Sequence, residues 1–357
     1  MPAGAVSNAP LRVAAFGAGW VTTARHIPTM QADPGFEVVA LVDRRGDRAA
    51  TAARRLGVPR WAEASSPAEL PFLDDIDAIT CGTAPFAHHG IIKAALEAGK
   101  AVLTEKPFTM TVAEGEELRE IARGRAVTLA VVHNFQFARS VRKLQRWIAA
   151  GRIGTPRAIW AVQLSNPKRR LPAWFDELPL GLFYDESPHL LYLVLALAPE
   201  PLRPVSATIT PSTTGHVNTP AQIAVQATAG ALPVTVQMNF ESPVSEWQVM
   251  VVGDEGMGVV DVFRDIAVHV PNDRDHKTLR VLRTSLAGTL GHWAGYPRSG
   301  AGHLRGTLRY GNDEVFRRFR ASAVGGAPPE GIDVDDALAV LRLQHWIVDQ
   351  AARTSAA

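Results

Sequence analysis

Lys106 is the residue of this chain that is best placed to do chemistry. It follows an apolar run that contains Val102 and Leu103 and predicts a buried strand, and Pro107 comes directly after it. A proline keeps the residue before it extended, so the lysine should stand at the rigid carboxyl end of a strand. Ligands of open α/β sheets bind outside those ends. The pattern therefore predicts a substrate-facing lysine, with an ordinary Lys-Pro surface turn as the alternative.

A second candidate pair, Asp185 and His189, is four residues apart in the segment 181–189 (GLFYDESPH), which opens an apolar helix over 190–197. Side chains at that spacing project from one side of a helix. Histidine exchanges protons near neutral pH, and a neighbouring carboxylate can fix its tautomer. Pro188 would sit early in the helix, where its missing N–H costs little. The alternative is that Asp185 caps the helix and His189 packs in the core.

A glycine turn is the element that could hold a cofactor. The apolar run 11–16 ends in Gly17-Ala18-Gly19-Trp20-Val21-Thr22, and a helical stretch continues to residue 31. Gly17 permits the turn, and Gly19 lets the backbone approach a pyrophosphate. The helix amino terminus, which includes Trp20 and Val21, supplies N–H donors. Thr22 replaces the third glycine of the dinucleotide-binding fingerprint, so the motif alone is a weak signal.

An acidic residue follows the second apolar run. Residues 36–42 end at Asp43, 24 positions after Gly19, close to the spacing at which an acid binds the adenosine ribose hydroxyls. Asp43 favours NAD, whereas Arg44 and Arg45 keep NADP open because guanidinium groups bind phosphates. Asp43 could instead cap a helix over 48–56.

Strands and helices then alternate up to residue 133, which predicts a doubly wound parallel sheet. Thr83 and Pro85 follow the strand 76–81, where their turn could line the cofactor. His88 and His89 are more typical of an exposed helix start than of a ligand. After residue 133 strands dominate, which predicts an α+β domain with a largely antiparallel sheet. The predicted strands are 158–164, 205–210, 222–227, 234–240, 248–252 and 266–270, and a helix covers 334–351.

The composition excludes several function classes. Hydrophobic residues make up 46% of the 357 residues, charged residues 20%, and the formal net charge is +2. No run of five or six like charges occurs, which argues against nucleic-acid and membrane-surface partners. No apolar stretch is long enough to span a membrane. Cys81 is the single cysteine, and residues 1–10 do not resemble a secretion signal, so we expect a cytoplasmic protein.

Together these features resemble the Gfo/Idh/MocA family of nicotinamide-dependent oxidoreductases over nearly the whole chain. The family's motifs occur in the family's order: a G-x-G turn, an acid after the second strand, T-x-P-x-x-H, A-L-x-A-G-K-x-V-L-x-E-K-P and G-x-x-x-D-x-x-x-H. In this chain they are Gly17/Gly19, Asp43, Thr83/Pro85/His88, 95–107 and 181–189, and the segment 309–316 (RYGNDEVF) resembles the family's closing region.

The resemblance implies a Rossmann domain over 1–133 and an α/β domain over 134–357 with a large, mostly antiparallel open sheet. That second domain would carry the substrate site and form a homo-oligomer, a dimer or tetramer, and its C-terminal helix could pack back on the first domain. The implied cofactor is NAD, with NADP possible, and no metal. The residues implied to bind the cofactor are Gly17, Gly19, Trp20, Val21, Asp43, Arg44, Thr83, Pro85, His88, Glu105 and Lys106.

The implied catalytic residues are Lys106, Asp185 and His189, and the Lys106–Pro107 bond is often cis in relatives. We expect reversible oxidation of a secondary alcohol on a sugar, polyol or sugar derivative, with the hydroxyl proton passing to His189. Lys106 would stabilise negative charge on the same oxygen, and Asp185 would orient His189 or bind an adjacent hydroxyl. Lys106 could instead be the proton donor if burial favours its neutral form.

The substrate class is left open by two departures from the family pattern, Ser187 for a glycine and Tyr192 for an acid. The expected pocket residues are Trp160, Arg170, Trp174 and Tyr192, with Glu241, Trp247 and Trp293 as further candidates. The segment 168–175 could equally be an exposed loop. Two other functions stay open: a redox-neutral NAD-dependent glycosidase of the same family, and a non-catalytic nucleotide-binding protein.

Overall fold

The computed structural model describes residues 9–215, 218–306 and 308–356. Residues 1–8, most of the stretch on which the absence of a secretion signal was predicted, lie outside the described residues. The chain forms two compact units. One comprises Met1–Asn134 and Asn312–Arg342, and the other comprises Phe135–Gly311 and Leu343–Ala357.

The first unit is built on a six-stranded parallel sheet with the order β3-β2-β1-β4-β5-β6, which confirms the predicted doubly wound sheet. Its strands are β1 (Leu11–Phe16), β2 (Phe36–Asp43), β3 (Arg60–Glu63), β4 (Ala78–Cys81), β5 (Ala101–Thr104) and β6 (Leu129–Val131). The helices between them are α1 (Ile27–Gln31), which continues a π-helical turn Thr22–His26, α2 (Gly46–Leu56), α3 (His88–Glu97) and α4 (Val112–Arg125).

Local sequence explains where these elements begin and end. Strands β4, β5 and β6 are buried along their whole length, as parallel strands covered by helices must be. Thr111 and Glu114 form a capping box that begins α4. Gly57 ends α2 with a φ of 67°, a left-handed conformation that glycine adopts without strain.

The second unit contains a seven-stranded sheet with the order β13-β12-β11-β7-β10-β9-β8, in which only β7 and β10 run parallel. The predicted, mostly antiparallel sheet is confirmed. In chain order its elements are α5 (Arg139–Ala149), β7 (Pro156–Leu164), α6 (Leu182–Leu197), β8 (Leu202–Thr210), β9 (Gln222–Ala229), β10 (Leu232–Asn239), β11 (Glu246–Gly253), β12 (Gly256–Asp261), β13 (Ile266–Pro271) and α7 (Thr278–Leu304).

Helix α7 was not predicted, because its many glycines and Pro297 hide the apolar periodicity. The glycines have a packing reason. A Cβ on Gly291 would lie 3.2 Å from Val268, and one on Gly295 would lie 2.8 Å from Ile266. The helix therefore approaches β13 more closely than larger residues would allow. Strands β3 and β12 were also missed, since each is short and one is polar.

Pro188 lies seven residues into α6, so its predicted position in the first helical turn is wrong. A proline inside a helix removes one N–H and leaves the carbonyl four residues earlier without its helical donor. That carbonyl belongs to Tyr184, and the side-chain amide of Gln344 donates to it at 2.9 Å. The same amide lies 2.9 Å from the Ser187 hydroxyl. Gln344 thus satisfies the bond that Pro188 cannot make.

The last two helices are α8 (Asn312–Gly325) and α9 (Val334–Ala356). Residues 312–342 belong to the first unit, whereas the predicted division assigned everything after residue 133 to the second domain. The physical reason is packing: the Phe316 ring lies edge-on to His26 at 5.4 Å and to Phe36 at 5.9 Å. The end of α9, from Leu343, belongs to the second unit.

Candidate functional site

The glycine turn after β1 has the shape of a phosphate-binding turn. Gly17 has a φ of 88°, and a Cβ there would lie 2.9 Å from the Gly82 carbonyl oxygen, so only glycine fits. A Cβ on Gly19 would have no neighbour closer than 3.6 Å, which leaves room beside the backbone. Trp20 is half-exposed, with Arg25 over its ring at 5.2 Å. Val21 follows it on the surface of the turn.

Thr22, at the third glycine position, carries a buried hydroxyl with no hydrogen-bond partner among the described residues. The hydroxyl packs against Gly82, where a Cβ would collide with it. Thr22 can replace the third glycine of the fingerprint because Gly82, directly after β4, leaves room for the threonine hydroxyl.

Asp43 ties the end of β2 to this turn. One carboxylate oxygen accepts the Ala18 N–H at 2.7 Å, and the other accepts the Arg45 N–H at 3.0 Å. The alternative, that Asp43 caps α2, is not what the structure shows, because that helix begins after Arg45 without a side-chain cap. Arg44 is exposed. Arg48, which sequence reasoning missed, donates to the Ala18 carbonyl at 3.1 Å.

His88 is buried and joins two strand ends. Its Nδ1 lies 2.9 Å from the Pro107 carbonyl oxygen and its Nε2 lies 3.3 Å from that of Thr83. Burial lowers the pKa of His88, although hydrogen bonds to the carbonyls of Phe108, Pro107 and Thr83 act to raise it. The ring therefore holds the turn of Thr83 and Pro85, which follows β4, against the residues after β5. Of the two histidines, only His89 lies near the surface at the start of α3, as predicted for both. Its Nε2 lies 2.9 Å from a Glu117 carboxylate oxygen.

Lys106 is half-buried, directly after β5, and is joined to Pro107 by a cis peptide bond, as the resemblance implied. The buried Glu105 carboxylate lies beneath it: one oxygen accepts the Lys106 N–H at 3.2 Å, and the other lies 2.9 Å from His26 Nε2. His26 Nδ1 in turn lies 2.8 Å from the Thr80 hydroxyl. The strand end that carries Lys106 is thus fixed by a buried polar network, which we call the Glu105 network (Thr80, His26, Glu105).

The Glu105 network keeps its carboxyl ionised. Burial raises the pKa of Glu105, but the hydrogen bond with His26 and the electrostatic effects of His26 and Lys106 outweigh it, so the net pKa is lowered. His133, after β6, is buried nearby in the same unit. Burial lowers its pKa to about 3, against a smaller upward effect of the Glu105 charge. Sequence reasoning missed His26. The one sequence feature that could have indicated it is its position on the buried side of the helix that follows the glycine turn.

The second group of site residues lies on α6. Asp185 is buried in its first turn, and the neighbouring Glu186 carboxylate accepts from Gln163 Nε2 and from the Ser165 hydroxyl, both at 2.7 Å. Arg169 forms an ion pair with Glu186. Burial lowers the pKa of Arg169, partly offset by the charge of Asp185. The start of this helix therefore buries two carboxylates, and the half-buried guanidinium of Arg169 pairs with one of them.

His189 is held by a tyrosine. Its Nδ1 lies 2.9 Å from the Tyr192 hydroxyl, and that oxygen accepts the Phe135 N–H at 3.1 Å. Whichever of the two groups donates, the hydroxyl occupies Nδ1 and leaves Nε2 as the ring nitrogen that can face a substrate. The rings of Phe135 and Trp247 flank His189 at 5.0 and 5.1 Å. Tyr192, expected in the pocket wall, is the residue that orients His189.

Of the other expected pocket residues, Trp247 lies beside His189, whereas Trp160 lies elsewhere on the sheet. Trp160 pairs in register with Met250, whereas Trp247 pairs with Gln163, so the two tryptophans lie on opposite faces of the sheet. A pocket role for Trp160 stays a prediction. Glu241 is held by the Ser212, Thr213 and Thr214 side chains; burial raises its pKa, but these hydrogen bonds lower it to about 2.

The segment 168–175 is only partly the exposed loop considered above. Arg170 is exposed, whereas the adjacent Arg169 turns inward onto Glu186. A pocket role for Arg170 stays a prediction. Trp174 is half-buried before a short 3₁₀ turn, and Trp293 stands exposed on α7.

Among the described residues, no helix is long and apolar enough to cross a bilayer, and no group of three or more His, Cys, Asp or Glu side chains could hold a metal ion.

Comparison with known proteins identifies the family. A model of the oxidoreductase family with an NAD-binding Rossmann fold matches residues 11–133, and a model of the GFO/IDH/MocA C-terminal domain matches residues 141–259. The chain belongs to the GFO/IDH/MocA family. Its first domain is therefore an NAD-binding Rossmann domain, which confirms the expected cofactor class.

Two curated relatives are sugar reductases by name. The chain is 34% identical over 165 residues to dTDP-3,4-didehydro-2,6-dideoxy-alpha-D-glucose 3-reductase of Actinomadura kijaniata, covering 44% of this chain and 47% of that protein. It is 33% identical over 145 residues to 1,5-anhydro-D-fructose reductase of Ensifer adhaerens, covering 41% and 43%. The matched part thus spans less than half the length of either relative.

The fold is shared with solved structures over nearly its whole length. GenD2 from gentamicin A biosynthesis, in complex with NAD, superposes with a TM-score of 0.77 at 20% identity and covers 99% of this chain and 97% of that one.

Proposed function

We propose that this protein is an NAD(P)-dependent oxidoreductase that transfers a hydride between nicotinamide and a secondary alcohol carbon of a sugar, polyol or sugar derivative. The observation that carries the proposal is the carboxyl-end edge of the first unit's sheet. The glycine turn follows β1, Asp43 ends β2, and Lys106 follows β5. In doubly wound sheets this edge is where ligands bind.

The residues at this edge fit a dinucleotide. The space beside Gly19 allows a pyrophosphate to approach the backbone, and the carboxylate of Asp43 reaches the same turn through Ala18. Gly17, Trp20, Val21, Arg44, Thr83, Pro85, His88 and Glu105 are the other residues proposed to contact or position the cofactor. When bound, nicotinamide supplies the site that accepts or donates the hydride.

The protein's own groups supply proton transfer and charge stabilisation. We assign proton exchange with the reacting hydroxyl to His189: Tyr192 holds Nδ1, and Nε2 takes the hydroxyl proton when the alcohol is oxidised and returns it when the carbonyl is reduced. We assign stabilisation of negative charge on that oxygen to the Lys106 ammonium. Asp185, one helical turn before His189, would orient His189 or bind a neighbouring hydroxyl.

A carbohydrate substrate is supported by the polar start of α6 and by the names of the two relatives. Carboxyl oxygens accept hydrogen bonds from hydroxyl groups, which is how Asp185 would hold a sugar. We also propose, as the resemblance implies, that the protein acts as a homo-oligomer in the cytoplasm, a reducing compartment that suits its single cysteine.

The proposal is tested by a screen of sugars, polyols and glycosides with NAD and NADP, followed through the absorbance of the reduced cofactor. The best substrate is then assayed with Lys106→Ala and His189→Ala. We expect each variant to lose roughly 100- to 1,000-fold in kcat, because each group acts on charge in the transition state. Cofactor affinity, measured by fluorescence titration, should change by less than about threefold.

Two results would contradict this assignment. Turnover near the parental level in Lys106→Ala would remove the lysine from the chemistry. Conversion of a glycoside with no net change in reduced cofactor would favour the redox-neutral glycosidase instead.

A further inference from the structure

A long loop leads into the helix that carries Asp185 and His189. Residues 165–181 separate β7 from α6, and within them only a 3₁₀ turn, Phe175–Glu177, has regular structure. Loops longer than about 12–15 residues are uncommon in compact domains, and where they are ordered they are usually functional. This loop is therefore a candidate to carry substrate-binding residues.

Glu186, in the first turn of α6, ties this loop down. Its buried carboxylate accepts hydrogen bonds from Gln163 Nε2 and from the Ser165 hydroxyl, both at 2.7 Å, and forms an ion pair with Arg169. We call these four residues the Glu186 cluster. Gln163 is fully buried, and its Oε1 has no partner among the described residues. An unsatisfied buried acceptor costs free energy, so the amide is oriented to serve the carboxylate.

Arg169 has more N–H donors than the Glu186 carboxylate can accept. Its side chain is 32% exposed, and Glu186 is its one ion-pair partner among the described residues. A guanidinium carries five N–H donors in a rigid fork, whereas this carboxylate already accepts two other hydrogen bonds. Glu186 thus fixes the arginine, and N–H groups remain for a ligand.

Asp185 provides an acceptor close to these donors. It is buried beside Glu186 at the start of α6. Burial lowers the pKa of Arg169, and the charge of Asp185 acts in the opposite direction, so the two groups interact. A sugar hydroxyl both donates and accepts hydrogen bonds. One hydroxyl can therefore accept from Arg169 and donate to Asp185.

The charges at the start of α6 discriminate between classes of substrate. Asp185 and Glu186 are acidic and Arg169 is basic, so the three groups leave one negative charge in excess. The amino terminus of a helix favours such acidic side chains. An anionic substituent beside Arg169 would meet one attraction and two repulsions. An uncharged sugar or polyol meets no such penalty.

We propose that Arg169 is a substrate-binding residue which Glu186 holds in place, and that Arg169 and Asp185 together select an uncharged sugar or polyol through one of its hydroxyls. Glu186 is a positioning residue, since it acts on the substrate through Arg169. The inference rests on the proposed function for its class of ligand, but it requires no turnover.

Ligand-induced stabilisation measures this binding without catalysis. Thermal unfolding is recorded with NADH or NADPH, which cannot accept a hydride from an alcohol, and with D-glucose, D-galactose, D-mannose or myo-inositol. The most stabilising compound is then titrated. We expect Arg169→Gln to bind it roughly 10- to 100-fold more weakly, the effect of losing hydrogen bonds from a charged group. Lys168→Gln removes the same charge from an exposed position of the same loop and should bind like the parent.

A second variant covers the case in which Arg169→Gln is misfolded. Arg169→Lys keeps the charge and the ion pair with Glu186 but loses the guanidinium fork. We expect it to unfold like the parent and to bind the same compound roughly tenfold more weakly. Parental affinity in both Arg169 variants would overturn the proposal, as would a parent that none of the four compounds stabilises.

A double-mutant cycle tests whether Glu186 acts through Arg169. Glu186→Gln should weaken binding, and Arg169→Gln/Glu186→Gln should bind no more weakly than Arg169→Gln alone, because the positioned group is already gone. Losses that add in the double variant would contradict the positioning role.

Charge selectivity is a readout that a purely structural role of Glu186 would not change. The aldose that binds best is compared with its uronic acid, D-glucuronate in the case of D-glucose. The parent should bind the uncharged sugar roughly tenfold more tightly, the effect of one unit charge a few ångströms away in a partly hydrated site. Glu186→Gln removes the excess charge and should narrow this ratio, most strongly at low salt. An unchanged ratio, or a parent that prefers the uronate, would contradict the charge assignment.

These measurements separate the inference from the proposed oxidoreductase activity. Sugar binding that depends on Arg169, without oxidation of any bound sugar by NAD or NADP, would support the inference and contradict hydride transfer. Turnover with a KM that Arg169→Gln leaves unchanged would support hydride transfer and overturn the inference.

Discussion

Lys106 and His189 are positioned in physically different ways. The end of β5 is fixed by the Glu105 network, in which a buried charge is held by hydrogen bonds. His189 is fixed by one hydroxyl, that of Tyr192, and by the aromatic rings of Phe135 and Trp247. Removing the partner of a buried charge leaves that charge uncompensated, which strongly destabilises a fold. Trimming an aromatic contact costs only the packing that is lost. The first site should therefore be the more fragile of the two.

The difference also predicts how each site responds to pH. The first unit buries several titratable groups around its strand ends, namely His26, His88, Glu105 and His133. The described contacts of His189 include the Tyr192 hydroxyl and the rings of Phe135 and Trp247. Because burial lowers the pKa values of His88 and His133, we expect acid to destabilise the first unit.

The largest effect is expected from His26→Leu. The substitution leaves the Glu105 carboxylate buried without its Nε2 partner, and breaking a buried pair in this way costs about 3–5 kcal/mol of unfolding free energy. Urea unfolding measures it. His26→Gln, whose amide can still donate, should recover much of the loss. His89→Leu is the matched control, because its Glu117 contact is at the surface. Equal losses in His26→Leu and His89→Leu would show that the Glu105 network contributes no special stability.

The second-largest effect is expected from a fall in pH, which should destabilise the first unit. His133 has a folded pKa of about 3, below the ~6.5 of the unfolded chain, so the unfolded chain binds the proton first. Stability is then fully present above about pH 6.5 and is lost as the pH falls toward 3. The loss reaches about 2 kcal/mol at pH 5. The lowered pKa of His88 adds to this loss, and that of Glu105 adds only below about pH 4.3.

Hydrogen exchange at pH 7 and pH 5 measures this effect unit by unit. Amides of β5 and β6 should lose protection at pH 5 while those of α6 lose less, and His133→Gln should reduce the difference. The same pH dependence in His133→Gln and the parent would assign the acid sensitivity to other groups.

The sequence predicted the helices and strands better than it predicted the side-chain contacts that hold the site residues in place. Strand β1 was predicted with its observed bounds, and Asp43 and Lys106 were singled out from motif spacing and found at strand ends. Convergence of Lys106 and His189 on one substrate oxygen stays a prediction. These contacts were missed because they join residues that are distant in sequence. His26 and Glu105 are 79 residues apart, and no local pattern joins them. Arg169 and Arg170 are neighbours, and only the fold decides which one turns inward.

Tyr192→Phe should have a smaller effect than His26→Leu, because it removes one neutral hydroxyl. The Phe135 N–H and His189 Nδ1 both lose the same partner, so we expect a loss of about 1–3 kcal/mol in stability. Loss of the fixed orientation of His189 should lower kcat about tenfold with a smaller change in KM. Steady-state kinetics separates the two. Unchanged kcat together with reduced stability would mean that Tyr192 is structural only.

Trp247→Phe should have the smallest effect, and it tests whether packing alone holds the second site. The Trp247 Nε1–H is buried and has no partner among the described residues, so its removal ends a penalty of about 1–3 kcal/mol. The smaller ring gives up contact area of similar value but keeps an aromatic face toward His189. The two terms should leave the unfolding free energy within about 1 kcal/mol of the parent, whereas Trp247→Ala should cost about 3–5 kcal/mol. A large loss in Trp247→Phe would show that Nε1–H has a bound partner, and that the second site also depends on a hydrogen bond.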